Sequence, residues 1–116
     1  MAHALFHSKS SAKAFGGIPE DYIEIHSFLD SSKAHLADSR HRCVLHSSFG
    51  IFIAERVFGI SIKNSNGKDV PVRTICERHI LEDMSEIPTL ADWLREMPIR
   101  PWMHEKSKRL SQNKTL

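Results

Sequence analysis

The stretch Ile60-Ser-Ile-Lys-Asn-Ser-Asn-Gly-Lys-Asp-Val-Pro-Val-Arg73 decides the fold. β-Branched residues alternate with polar ones on both sides of Asn66-Gly67, the dipeptide that best accepts the positive φ of a tight hairpin turn. Residues 60–73 are therefore expected to form two antiparallel strands. Pro71 has no amide hydrogen, which confines its strand to a sheet edge. Two strands are marginal alone, so the hairpin must lean on helices. The sequence on either side reads as helix. The expected class is mainly α, with about four helices packed around a long central helix and one β-hairpin insertion.

Upstream, no proline interrupts Ser32 to Phe58, and Gly50 is the one glycine. Leu36, Cys43, Ile51, Ala54 and Phe58 fall near one stripe, and Leu45, Phe49, Phe52 and Val57 widen it. Residues 44–58 thus read as the buried half of the central helix. Gly50 costs a helix about 1 kcal/mol relative to alanine, and close approach of another backbone is one reason to keep it. Ile18-Pro-Glu-Asp21 reads as the start of a helix over 19–29, with proline and two acids in its first turn. The first 17 residues are small and polar, with a turn or two of helix before Gly16-Gly17. Downstream, Thr74 to Met84 reads as helix, broken by Ile87-Pro88. Thr89 and Asp92 form an Asp version of the capping box for a last short helix that buries Leu90, Trp93, Leu94 and Met97. Pro101-Trp102-Met103 is expected to pack back on the body. Residues 1–103 are read as one domain and 104–116 as a basic tail.

Composition narrows the class. The chain has 116 residues, 41% hydrophobic and 26% charged, which excludes a disordered or fibrous chain. No apolar run is long enough to span a membrane, and the N-terminus lacks the apolar core of a signal peptide, so a cytoplasmic setting is expected. Sixteen basic residues against 14 acidic ones give a net charge of +2. That is too mild for a nucleic-acid footprint. The bias is local: Arg100, Lys106, Lys108 and Arg109 stand near one acid, Glu105. Cys43 and Cys76 have no CxxC spacing and are expected as reduced thiols. Eight histidines, at 3, 7, 26, 35, 41, 46, 79 and 104, are an unusual count.

Several segments together resemble a family of small bacterial and phage proteins without assigned function. They are Phe15-Gly-Gly-Ile-Pro-Glu-Asp-Tyr22, Ile25-His-Ser-Phe-Leu-Asp-Ser-Ser-Lys33, Ala37-Asp-Ser-Arg-His-Arg42, Gly50-Ile-Phe-Ile-Ala-Glu55, Val70-Pro-Val-Arg73, Glu77-Arg-His-Ile-Leu-Glu-Asp83, Ile87-Pro-Thr-Leu-Ala-Asp-Trp-Leu94 and Pro101-Trp-Met103. The resemblance covers roughly residues 7–103 and implies a phage or mobile-element setting. Where that family has glycine before Ile87-Pro88, this chain has Ser85-Glu86.

Four constellations could carry chemistry. On the expected second helix, His35, Asp38, Arg42 and His46 share a stripe: two imidazoles, a carboxylate and a guanidinium for an anion. The ordinary alternative is a solvated face with an Asp38–Arg42 ion pair. His79 with Glu82 and Asp83 places an imidazole and carboxylates on one helix face, and a metal site would add His46 or His26 from another helix. His46, His79, Glu82 and Asp83 are the candidate ligands, with zinc as the type of ion. Against that stands an ordinary charged helix surface. Cys76, beside Glu77, Arg78 and His79, is a candidate low-pKa thiol with no third group in sight. Trp102, with Arg100, Lys106, Lys108 and Arg109, is the candidate docking segment.

Two functions follow. One is a phage or mobile-element accessory protein, without a cofactor, that docks on a host protein, of the type that inhibits a defence system such as CRISPR. The other is a small metal-dependent or acid–base enzyme working between helices. No complete catalytic set is visible, which favours the first, and homodimerisation is left open.

Overall fold

The computed structural model describes residues 3–104. Lys106, Lys108 and Arg109 therefore lie outside the described residues. Five α-helices and one hairpin account for the architecture: α1 (Ala4–Phe15), α2 (Ile23–Leu29), α3 (Ser48–Phe58), β1 (Ser61–Lys63), β2 (Asp69–Pro71), α4 (Val72–Met84) and α5 (Leu90–Leu94). Short 3₁₀ turns at Pro19–Asp21, Ser31–Ala34, Ser39–Cys43 and Pro101–Met103 join them. α4 is the hub, packing on α1, α2 and α3. The apolar core is small. Tyr22, Ile25 and Leu29 come from α2 and its approach, Ile51 and Ala54 from α3, and Val72, Ile75, Cys76 and Ile80 from α4, with Leu45 and Val70 closing it.

The hairpin forms where its turn chemistry places it. Ile62 pairs with Val70 in an antiparallel register, and Gly67 takes a φ of 79°. The buried Asn64 organises the turn. Its Oδ1 accepts from the amides of Asn66 and Lys68, and its Nδ2 donates to the Tyr22 hydroxyl at 3.2 Å. Tyr22 in turn donates to the Gly16 carbonyl at 2.6 Å. The hairpin thus leans on the α1–α2 junction as well as on α4.

The long central helix does not form. Residues 31–47 are 3₁₀ turns and loop, because short polar side chains capture the backbone locally. Asp38 accepts from the Arg40 amide at 2.9 Å and pairs with the Arg40 guanidinium instead of Arg42. Ser47 then caps a fresh helix, accepting from the Gly50 amide at 3.1 Å. The stripe is therefore dissolved: His35 and Asp38 are exposed, Arg42 is half-buried and His46 is buried. α3 is not buried all round either, since Phe49, Phe52 and Val57 face outward. At the N-terminus the helix is longer than expected and inverted in polarity. α1 buries His7, Ser8 and Ser11 and exposes Leu5 and Phe6. Near the C-terminus the capping box of α5 is present, but Trp93 is only half-buried and Trp102 is 75% exposed rather than packed on the body.

Two backbone positions yield predictions of opposite sign. A Cβ on Gly50 would collide with the Leu45 main chain, which turns back against the first turn of α3. Gly50→Ala should destabilise the fold by about 1–3 kcal/mol despite alanine's better helix propensity, because the clash is with backbone. Ser85, which closes α4, holds a φ of 66°. Ser85→Gly should stabilise by about 1 kcal/mol, since glycine takes the left-handed conformation without a Cβ penalty. Urea denaturation of both variants checks the pair. A neutral Gly50→Ala or a destabilising Ser85→Gly would contradict these readings.

Candidate metal centre

Four of the eight histidines, His7, His26, His46 and His79, are fully buried. They meet where α1, α2 and α4 pack together with the turn leading into α3. α2 presents His26 and, at its C-terminal end, Asp30; α4 presents His79 and Asp83. Both are i, i+4 pairs, so each helix turns one imidazole and one carboxylate to the same side. His46 comes from the turn before α3. Its carbonyl accepts from Trp93 Nε1 at 3.0 Å, which fixes that turn against α5.

Four atoms converge: Asp30 Oδ1, His46 Nε2, His79 Nε2 and Asp83 Oδ2. His46 Nε2 lies 3.0 Å from Asp83 Oδ2 and 3.6 Å from Asp30 Oδ1. His79 Nε2 lies 3.3 Å from Asp83 Oδ2 and 3.2 Å from Asp30 Oδ1. The two Nε2 atoms are 3.2 Å apart. A tetrahedron of N and O ligands about 2.0–2.2 Å from a central ion has edges of about 3.3–3.6 Å. Five of the six edges, at 3.0–3.6 Å, come close to that spacing. His7, His26 and His79 also bring nitrogens together, but the His7 ring lies face to face on that of His79, at 3.8 Å and 28°. A metal bond lies in the plane of an imidazole, so stacked rings do not share an ion. That group supports the centre from behind.

Its outer contacts are complete on two sides. His79 Nδ1 is 2.8 Å from His26 Nδ1, and His26 Nε2 is 2.8 Å from Ser11 Oγ. Burial, reinforced by His79 and His7, pushes the His26 imidazole down to about 3, so it stays neutral. As its Nε2–H tautomer, His26 donates to Ser11 and accepts from His79 Nδ1–H, so that a deprotonated His79 would turn its Nε2 lone pair to a ligand. Behind Asp83, His7 Nε2 lies 3.2 Å from Oδ1, within ion-pair distance though poorly aligned for a hydrogen bond. His7 Nδ1 pairs with Glu82 Oε1 at 2.8 Å, and Ser10 donates to the other Glu82 oxygen.

Electrostatics follow from burial set against carboxylate contact. Burial alone would raise Asp83, but the hydrogen bond from His46 and the nearby His7 and His79 imidazoles hold it far below the usual carboxylate range. Asp30 is likewise lowered, with His79 outweighing burial. His79 faces both carboxylates, which overcome burial and raise it. His46 has the hydrogen bond of Asp83 alone, and burial wins, lowering it.

Of the candidate ligands, the structure brings His46, His79 and Asp83 together and turns Glu82 away to His7 and Ser10. Arg42 stands at the edge, its guanidinium 4.0 Å from Asp83 Oδ2. Arg100 and Trp102 lie at the far C-terminal segment. Asp30, an aspartate at the end of α2, is the candidate ligand that sequence reasoning missed, as were the supporting roles of His7 and Ser11. One signal was available: His-x-x-x-Asp occurs at His26/Asp30 and again at His79/Asp83. Cys76 is no nucleophile. It is buried, and burial with Glu55 and Glu77 nearby pushes its thiol up to about 12. Among the described residues, no helix is long and apolar enough to cross a membrane.

No curated protein and no solved structure matches this chain. One family model does match, over residues 2–103, and it is described as a domain of unknown function, DUF6915. With nearly the whole chain covered, the protein belongs to the DUF6915 family.

Proposed function

We propose that this protein is a small metal-dependent enzyme of the hydrolytic class, holding one divalent first-row ion through Asp30, His46, His79 and Asp83. The observation that carries this reading is the convergence of two imidazole nitrogens, 3.2 Å apart, each 3.0–3.6 Å from both carboxylate oxygens. Two nitrogens and two oxygens without a thiolate suit zinc, iron(II) or manganese rather than copper(I) or an iron–sulfur cluster. Such an ion, when bound, supplies Lewis acidity and an activated water. The protein's own part is to place the donors. Two carboxylates match the charge of a divalent ion, His26 and Ser11 orient His79, and His7 steadies Asp83. Uneven burial supports a working centre with one open side: Asp83 is 2% exposed, but Asp30 is 13% and Arg42 14% exposed on the same edge.

Metal analysis of the purified protein tests the reading. Wild type should carry or take up roughly one divalent ion per chain, and His79→Ala or Asp83→Ala should abolish stoichiometric binding. His26→Ala should bind about 10–100-fold more weakly, as expected for a partner of a ligand. Binding should strengthen as pH rises, because His79 gives up a proton to bind. Metal-loaded protein should hydrolyse chromogenic esters that Asp83→Ala leaves intact. A wild type that takes up no zinc, iron or manganese would contradict the proposal.

A second reading keeps one observation in its favour. Met97, Ile99, Trp102 and Met103 are exposed within seven residues, Ile99 at 81%. That apolar segment supports docking on a partner protein, the role expected of a phage-encoded accessory that blocks a host defence component. Because Trp102 is mostly in solvent, Trp102→Ala should change stability by no more than about 0.5 kcal/mol. A larger loss on denaturation would show that Trp102 packs and would remove this support.

A further inference from the structure

The metal centre has a charged edge that the four ligands do not explain. The Arg42 side chain is mostly buried, and its Nε has no hydrogen-bond partner. Its guanidinium stands 4.0 Å from Asp83 Oδ2, too far for a hydrogen bond. Asp83 is already engaged by His46, His79 and His7. Burying a guanidinium is costly unless its charge and its donors are matched. Charge counting shows that they are not. Asp30 and Asp83 together cancel a divalent ion, and the neutral imidazoles add nothing. Arg42 leaves the centre with one surplus positive charge.

We infer that Arg42 is the anion-binding residue of this centre and that the ligand it takes is a phosphate group, in a substrate of the phosphate-ester class. A guanidinium presents a planar fork of donors that fits two oxygens of a phosphate. A phosphate also has oxygens enough to meet the Arg42 fork and an ion in the centre together, which the two oxygens of a carboxylate do not. Arg42 sits two residues after Arg40 in the 3₁₀ turn Ser39–Cys43, but only Arg42 is turned inward. Arg40 is exposed and spent on Asp38. This inference rests on the metal reading above.

The test uses the full-length protein, with metal content measured on every sample before inorganic phosphate is titrated calorimetrically. Zinc-loaded wild type should bind phosphate. Arg42→Ala should keep its zinc and bind phosphate at least tenfold more weakly, with Arg42→Lys between the two. Arg40→Ala should bind like wild type. Acetate should bind at least tenfold more weakly than phosphate. Equal phosphate binding by wild type and Arg42→Ala, or none by zinc-loaded wild type, would overturn the inference while leaving the metal centre standing. Acetate binding as tight as phosphate would overturn the substrate class. A wild type that takes up no zinc, iron or manganese would overturn both readings together.

Discussion

Two carboxylates can both stay ionised in a shared, mostly buried pocket only if positive charge lies between them. Asp30 and Asp83 are brought to one point by α2 and α4, and the rest of the interior is arranged around that constraint. In a chain whose apolar core amounts to eleven side chains, four buried imidazoles and two carboxylates occupy space that a purely structural core would fill with leucine. Ionised groups left unmatched in such a place would cost several kcal/mol each. The divalent ion we propose would convert that liability into a tie linking α2, α4 and the turn before α3.

The same constraint explains the odd features of the fold. α1 turns Ser11 and His7 inward and leaves Leu5 and Phe6 in solvent because its inner face meets polar partners. Ser11 completes the hydrogen bonding of His26, and His7 bridges from Asp83 to Glu82. Gly50 is kept because the Leu45 main chain, one residue before His46, presses against the start of α3. The turn that delivers His46 is held from three directions: Ser47 capping α3, Trp93 on the His46 carbonyl, and the Ser48 amide donating to the Pro88 carbonyl at 2.9 Å. α5 thus contributes no ligand yet positions one.

Local chemistry was legible in the sequence, and long-range chemistry was legible only in part. The Asn66-Gly67 turn, the Thr89/Asp92 capping box and the α4 helix are set by residues near one another in the chain, and periodicity with turn propensity finds them. The central helix was misread because hydrophobic spacing says nothing of side chains that capture the backbone, as Asp38 and Ser47 do. The polarity of α1 was misread because the rule that apolar faces point inward fails where the interior is polar. His46, His79 and Asp83 could be named from histidine excess and helix spacing. For Asp30 the one signal was the His-x-x-x-Asp spacing it shares with Asp83, since a helix-end aspartate looks like an ordinary cap and its distance from His79 is a tertiary fact. Glu82 and Asp83 are adjacent on α4, and only the packing of α1 decides which of them faces the ligands.

X-ray absorption at the metal edge of the zinc-loaded protein tests the central claim most directly. The account predicts a first shell of nitrogen and oxygen only, with an outer-shell imidazole pattern counting two histidines, a pattern reduced to one in His46→Ala. A sulfur scatterer in the first shell, or a first shell of oxygens without imidazole, would contradict it.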